Sequence, residues 1–116
     1  MRREYRLRSN ADFQRVRRTG KSVANSYLVI LHAPHPNVKT RFGFSIGKKL
    51  GGAVERNRLK RRLREQIRRY LEADRLRPGL DVVIIARTGA READAATVRR
   101  ALAELIGRAG LWKDRQ

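Results

Sequence analysis

Residues 41–86 read RFGFSIGKKLGGAVERNRLKRRLREQIRRYLEADRLRPGLDVVIIA. Three periodicities follow one another in this stretch. From Arg41 to Gly47 the residues alternate, with Phe42, Phe44 and Ile46 on one face of a strand and Gly43, Ser45 and Gly47 on the other. A strand with one bare face lets another backbone or a ligand approach it closely. After a Gly51-Gly52 hinge, Leu59, Leu63, Ile67, Tyr70 and Leu71 recur at spacings of four and three. That is the pattern of a long amphipathic helix, and it ends before Arg77-Pro78-Gly79. Leu80 to Ala86 then has the uniform apolar character of a central strand buried on both faces. The stretch is a strand–helix–strand unit.

Outward from this unit the pattern stays legible. On the N-terminal side, Ser9 reads as a helix N-cap with Asp12 as a weaker version of the capping box. Phe13 and Val16 share one face of that helix and Gly20 stops it. Lys21 to Ala24 suits a short strand, and Tyr27 to Ala33 a buried one, broken by Pro34-His35-Pro36-Asn37. On the C-terminal side a helix runs from about Asp94 to Arg108, with Val98, Leu102, Leu105 and Ile106 inward and Gly110 beyond its end. The order predicts one α+β domain over residues 1–116, with the order of the basic N-terminal segment, residues 1–8, left open.

The chain carries 29 Lys and Arg against 11 Asp and Glu, a formal charge of +18. At 41% apolar, with many of those residues alanine, 116 residues make one modest core. The excess charge lies in the first 70 residues, and ten basic residues face two acidic ones within 48–70. A surface this one-sided repels itself unless a polyanion covers it, which makes nucleic acid the leading partner. Anionic lipid is set aside, because no basic helix carries a strong Trp/Phe/Leu insertion face. The absence of cysteine removes disulfides, thiolate zinc sites and thiol nucleophiles, and points to a reducing compartment. No apolar run approaches the roughly 18 to 20 residues that span a bilayer, and none follows the basic N-terminus as in a signal peptide. A soluble, cytoplasmic protein with no membrane partner is expected.

On a helical wheel the apolar stripe of the long helix takes one side. Asn57, Arg58, Arg61, Arg62, Arg68 and Arg69 fall on or near the opposite side, while Arg56 and Lys60 lie nearer the apolar stripe and flank the sheet. Arginine predominates, and its planar fork grips phosphate oxygens bidentately where lysine cannot. Only Glu55 and Glu65 are available to pair with the ten basic residues of 48–70, so most of those charges are expected to be unpartnered.

The stretch Gly47 to Glu65, GKKLGGAVERNRLKRRLRE, closely resembles the signature of the bacterial ribonuclease P protein subunit. The Arg56-Asn57-Arg58 core followed by Lys60-Arg61 is a specific match of identity, spacing and position on a helix after a Lys-Lys pair. The likeness extends to the Ser-x-x-Asp-Phe opening helix, Gly20, Val23-Ala24-Asn25, the strand at 41–45 and the Asp-x-x-Ile-Ile-Ala-Arg strand at 81–87. It implies an α/β sandwich like the second domain of a small-subunit ribosomal protein, a four-stranded sheet with three helices. It also implies a left-handed strand–helix–strand crossover, against the usual right-handed rule. The implied function is to pair with ribonuclease P RNA and help that catalytic RNA remove the 5′ leader of precursor tRNA, with Mg²⁺ bound chiefly by the RNA.

Carried over residue by residue, the resemblance assigns Arg56, Asn57, Arg58, Lys60, Arg61 and Arg64, with Lys48 and Lys49, to the RNA subunit; Arg62 and Arg68 join them from the wheel. Phe13 matches an aromatic of the cleft that receives the leader, and Arg17 and Leu31 stand where many members carry aromatics. Base stacking there is expected to be weaker, with the Arg17 guanidinium stacking or holding phosphate instead. Gly47 and Gly52 stand where the family often has Ser and Asn, and a glycine N-cap costs a few tenths of a kcal/mol.

Protein-based catalysis would need a convergent constellation of side chains. His32 sits in an apolar strand and His35 in a Pro-flanked turn, and the carboxylates are mostly C-terminal, so no catalytic or metal-binding residue is assigned. A ribosomal or other structural RNA-binding protein is the first alternative and a self-sufficient metal-dependent nuclease the second. A DNA-binding regulator is not expected, because no helix-turn-helix pair appears.

Overall fold

In the computed structural model, which describes residues 2–35 and 39–113, the elements follow in the expected order. They are α1 (Asn10–Thr19), β1 (Lys21–Ala24), β2 (Leu28–Pro34), β3 (Arg41–Ser45), α2 (Ala53–Glu72), β4 (Leu80–Ala86) and α3 (Ala95–Arg108). Short 3-10 turns cover Arg3–Tyr5, Lys48–Leu50 and Thr88–Ala90. The strands form one four-stranded sheet in the order β1-β2-β4-β3. β2 is antiparallel to both β1 and β4, whereas β3 and β4 are parallel neighbours. Parallel neighbours need a crossover, and α2 supplies it. Of the Pro34-His35-Pro36-Asn37 break, Pro36 and Asn37 lie outside the described residues.

Alternation along β4 divides the core in two. Val82, Ile84 and Ala86 meet Leu59, Leu63 and Ile67 of α2 and Val98, Leu102 and Leu105 of α3 in the larger cluster. Val83, one residue out of phase, joins Val16 of α1, Ala33 and Leu7 on the other face, with Phe13, Leu31 and Ile85 packed against them. The sheet therefore lies between α1 and the α2–α3 pair. Leu7 is buried, its amide donating to the Phe42 carbonyl at 2.8 Å, so the N-terminal segment is anchored along the free edge of β3.

One cap differs from the sequence reading. Ser9 does occupy the N-cap of α1, but its side chain makes no capping hydrogen bond, and Asp12 turns instead toward Arg15 and Arg41. Ion pairing has outcompeted the capping box there. At α3 the reading holds: Asp94 Oδ1 accepts from the Thr97 amide at 2.8 Å. Asn25 fixes the β1–β2 turn, where Oδ1 accepts from the amides of Tyr27 and Leu28, each at 2.9 Å. Its Nδ2 donates to the Ala101 carbonyl at 3.1 Å and ties the turn to α3.

Candidate nucleic-acid interface

The basic helix is held by its inner stripe. Leu59, Leu63, Ile67 and Tyr70 are buried against the sheet and α3, which fixes the direction of every other side chain on α2. Gly52 is the N-cap and offers no side-chain hydrogen bond; Glu55 folds back over Gly51 and Gly52 rather than along the helix toward the arginines. Gly51 has φ +117°, a conformation that favours glycine. Lys48 and Lys49 sit exposed in the turn just before it.

Among the described residues, no carboxylate pairs with Lys48, Lys49, Arg56, Arg58, Lys60, Arg61, Arg62 or Arg64. Asn57 is exposed between Arg56 and Arg58. Arg56, Lys60 and Arg64 are half-buried on one flank of α2, as the wheel implies for the first two. The Nε atoms of Arg56 and Arg64 are buried without a hydrogen-bond partner. On the other flank Arg58, Arg61, Arg62 and Arg69 border a groove against α3, with Arg99 facing them. These cations are thus set in two rows along one rigid element.

Arg68 is the exception to the expectation that most of these charges are unpartnered. Its guanidinium donates to Glu65, through Nε at 2.9 Å and through Nη2, and to Glu72 through Nη1. These partners push the Arg68 pKa up, and Arg68 in turn holds the Glu65 carboxyl below its usual range. Glu65 also pairs with Arg69 at 3.6 Å. Glu72, one turn after Arg68 and two residues beyond the 48–70 segment, is the residue the sequence reading missed.

The second predicted site lies across the sheet. Leu31 pairs with Val83 and Val83 with Gly43, so the three form one row on the face that α1 covers. Phe13 packs in the cluster beneath α1, and its ring lies on Gly43. The bare face is thus filled from within the chain at Gly43, whereas Gly47 stays open. Phe13 and Leu31 are both half-buried, whereas Arg17, one turn after Phe13, is exposed and has no ion pair among the described residues. Phe13 and Leu31 thus pack on the face of the sheet that α1 covers, and Arg17 stands exposed one turn further along the helix.

On the same side of the sheet lies an ion cluster that the sequence did not reveal. The Asp81 carboxylate is fully buried and accepts from Arg41 Nε and Nη2, each at 2.8 Å, and from Arg15 Nη2. Asp81 holds the Arg41 pKa above its usual value. The register places Ala33, Asp81 and Arg41 in one row of the sheet, and Arg15 of α1, reaching Asp81, clamps the helix onto it. Among the described residues, no three histidine or carboxylate side chains gather as a metal site.

The family model described as Ribonuclease P matches residues 1–110. The ribonuclease P protein component of Herpetosiphon aurantiacus is 44% identical over 116 residues, covering 100% of this chain and 93% of the relative. That of Symbiobacterium thermophilum is 45% identical over 112 residues, covering 96% of each. Among solved structures, the Staphylococcus aureus RNase P protein superposes with a TM-score of 0.87 at 33% identity, covering 94% of this chain and 98% of its own. The Thermotoga maritima RNase P protein gives 0.80 at 36% identity, covering 89% and 96%.

Proposed function

The chain belongs to the ribonuclease P protein family, and on that footing we propose that it binds the catalytic RNA subunit through α2 and the 5′ leader of precursor tRNA through the α1 cleft. The observation that carries this reading is the double row of cations on α2, from Arg56 to Arg64 with Lys48 and Lys49 before it, that no carboxylate of the described residues neutralises. Guanidinium forks held on one helix match phosphates held on a folded RNA, and each contact releases counterions. On the α1 side, the half-buried Phe13 and Leu31 would supply an apolar wall for unstacked bases and the exposed Arg17 would meet a phosphate.

In this reading the hydrolysis belongs to the RNA subunit, and Mg²⁺ bound chiefly by that RNA would screen and polarise phosphate charge. The protein's side chains bring positive charge to two RNA segments at once, so less Mg²⁺ is needed to hold them together. The work would be done in the cytoplasm; among the described residues no helix is long and apolar enough to cross a membrane. A structural ribosomal protein is not favoured by the family match or by the relatives.

The test is to add the protein to a bacterial ribonuclease P RNA at a Mg²⁺ concentration too low for the RNA alone. Correct 5′ cleavage of precursor tRNA is expected. Cleavage by protein freed of RNA would instead require chemistry from its own side chains and would overturn the assignment.

A further inference from the structure

The flank of α2 that carries Arg58, Arg61, Arg62 and Arg69 faces α3 across a cavity of about 320 Å³. Its lining is apolar where the helices meet, at Ala95, Val98 and Leu102, and it is ringed by guanidinium groups. Arg99 closes the ring from α3 and is exposed. Glu65, the one carboxylate in the lining, is already engaged by Arg68 and Arg69. The cavity is thus a cationic rim around an apolar slot, in which Arg58, Arg61, Arg62 and Arg99 have no carboxylate partner among the described residues.

That combination suits an anionic ligand with a flat apolar part. An unpaired nucleotide has both: its base can enter the slot and stack on a guanidinium plane, while the phosphates on either side reach the rim. A double helix keeps its bases stacked inside and offers such a slot only phosphates. The groove also continues the α2 surface assigned to the RNA subunit, and it lies on the opposite face of the sheet from the α1 cleft. We propose that the α2–α3 groove holds one unpaired nucleotide of the RNA subunit, with Arg62 and Arg99 on its flanking phosphates. The proposal rests on the reading of α2 as the face toward that RNA.

Three variants test it in binding titrations with a bacterial ribonuclease P RNA, each first matched to the parent in melting temperature. Arg99→Ala removes a rim charge; a several-fold loss of affinity is expected, with the slope of log K against log[salt] smaller by about one. Ala95→Trp plugs the slot without changing charge; about a tenfold loss is expected with the slope kept. Both variants should still prefer precursor over mature tRNA as the parent does, since the leader lies elsewhere. Arg64→Ala, on the far flank of α2, reports on the underlying reading and should weaken binding whatever the groove does. Parental affinity in either groove variant overturns the proposal, and parental affinity in all three overturns the α2 interface as well.

Discussion

The Phe13 ring lies on Gly43 in the space that a side chain on that strand would need: a Cβ added there would stand 2.8 Å from the ring's Cε1. Real Cβ atoms do not approach that closely, so Gly43→Ala must displace the ring or α1. Overpacking of this kind costs about 1–3 kcal/mol. Chemical denaturation should show that loss for Gly43→Ala and a smaller one when Phe13→Ala is already present, because the clash has been removed. Additive losses would mean that the ring moves aside freely.

Asp81 is the other tie between α1 and the sheet. Asn at this position keeps the size but leaves the Arg15 and Arg41 guanidinium groups without their buried anion. Breaking a buried pair from one side is strongly destabilising, and Asp81→Asn should cost about 3 kcal/mol in urea unfolding. A loss below about 1 kcal/mol would show that Asp12, which already reaches Arg41 at 3.3 Å, suffices as partner.

Pairing with Glu65 and Glu72 separates Arg68 from its neighbours. A cation that must leave two carboxylates to meet a phosphate gains little by doing so. Arg61→Ala should therefore lower affinity for the RNA subunit and reduce the salt slope by about one, while Arg68→Ala changes the slope little. Glu72→Gln should strengthen binding modestly, since it removes one of the two carboxylates on Arg68 while Glu65 still holds the other side of the guanidinium. Equal effects of Arg61→Ala and Arg68→Ala would place Arg68 among the contacts after all.

Burial lowers the His32 pKa from its ordinary 6.5, and Lys21, its partner across the β1–β2 ladder, lowers it further. The folded protein keeps this imidazole neutral where the unfolded chain would protonate it. Stability should therefore rise with pH through the window between the lowered pKa and 6.5, and His32 should contribute no slope above it. Melting temperatures from about pH 5 to 7 should show this slope, and His32→Gln should flatten it. An unchanged slope in the variant would assign the effect to other groups.

The elements whose residues carry their own periodicity were legible in the sequence. Leu80–Ala86 and the Leu59, Leu63, Ile67, Tyr70 stripe specify strand and helix locally, and with them the direction of the arginines between. What escaped depends on pairings distant in the chain. Gly43 announces a vacant face but not that Phe13 fills it, and Asp81 in an apolar strand does not announce Arg15 and Arg41. Arg99 reads as one more exposed charge on α3 until that helix is laid beside α2. The Ser9 cap failed for a related reason, since Asp12 found stronger partners in tertiary structure than in its own first turn. The hand of the crossover has no counterpart in residue pattern at all.

Salt dependence of binding to a bacterial ribonuclease P RNA tests the unneutralised cations of α2 most directly. If these and Lys48 and Lys49 make about six phosphate contacts, affinity should fall roughly 10³-fold or more between about 50 and 200 mM monovalent salt. A nearly flat dependence over that range would contradict the account.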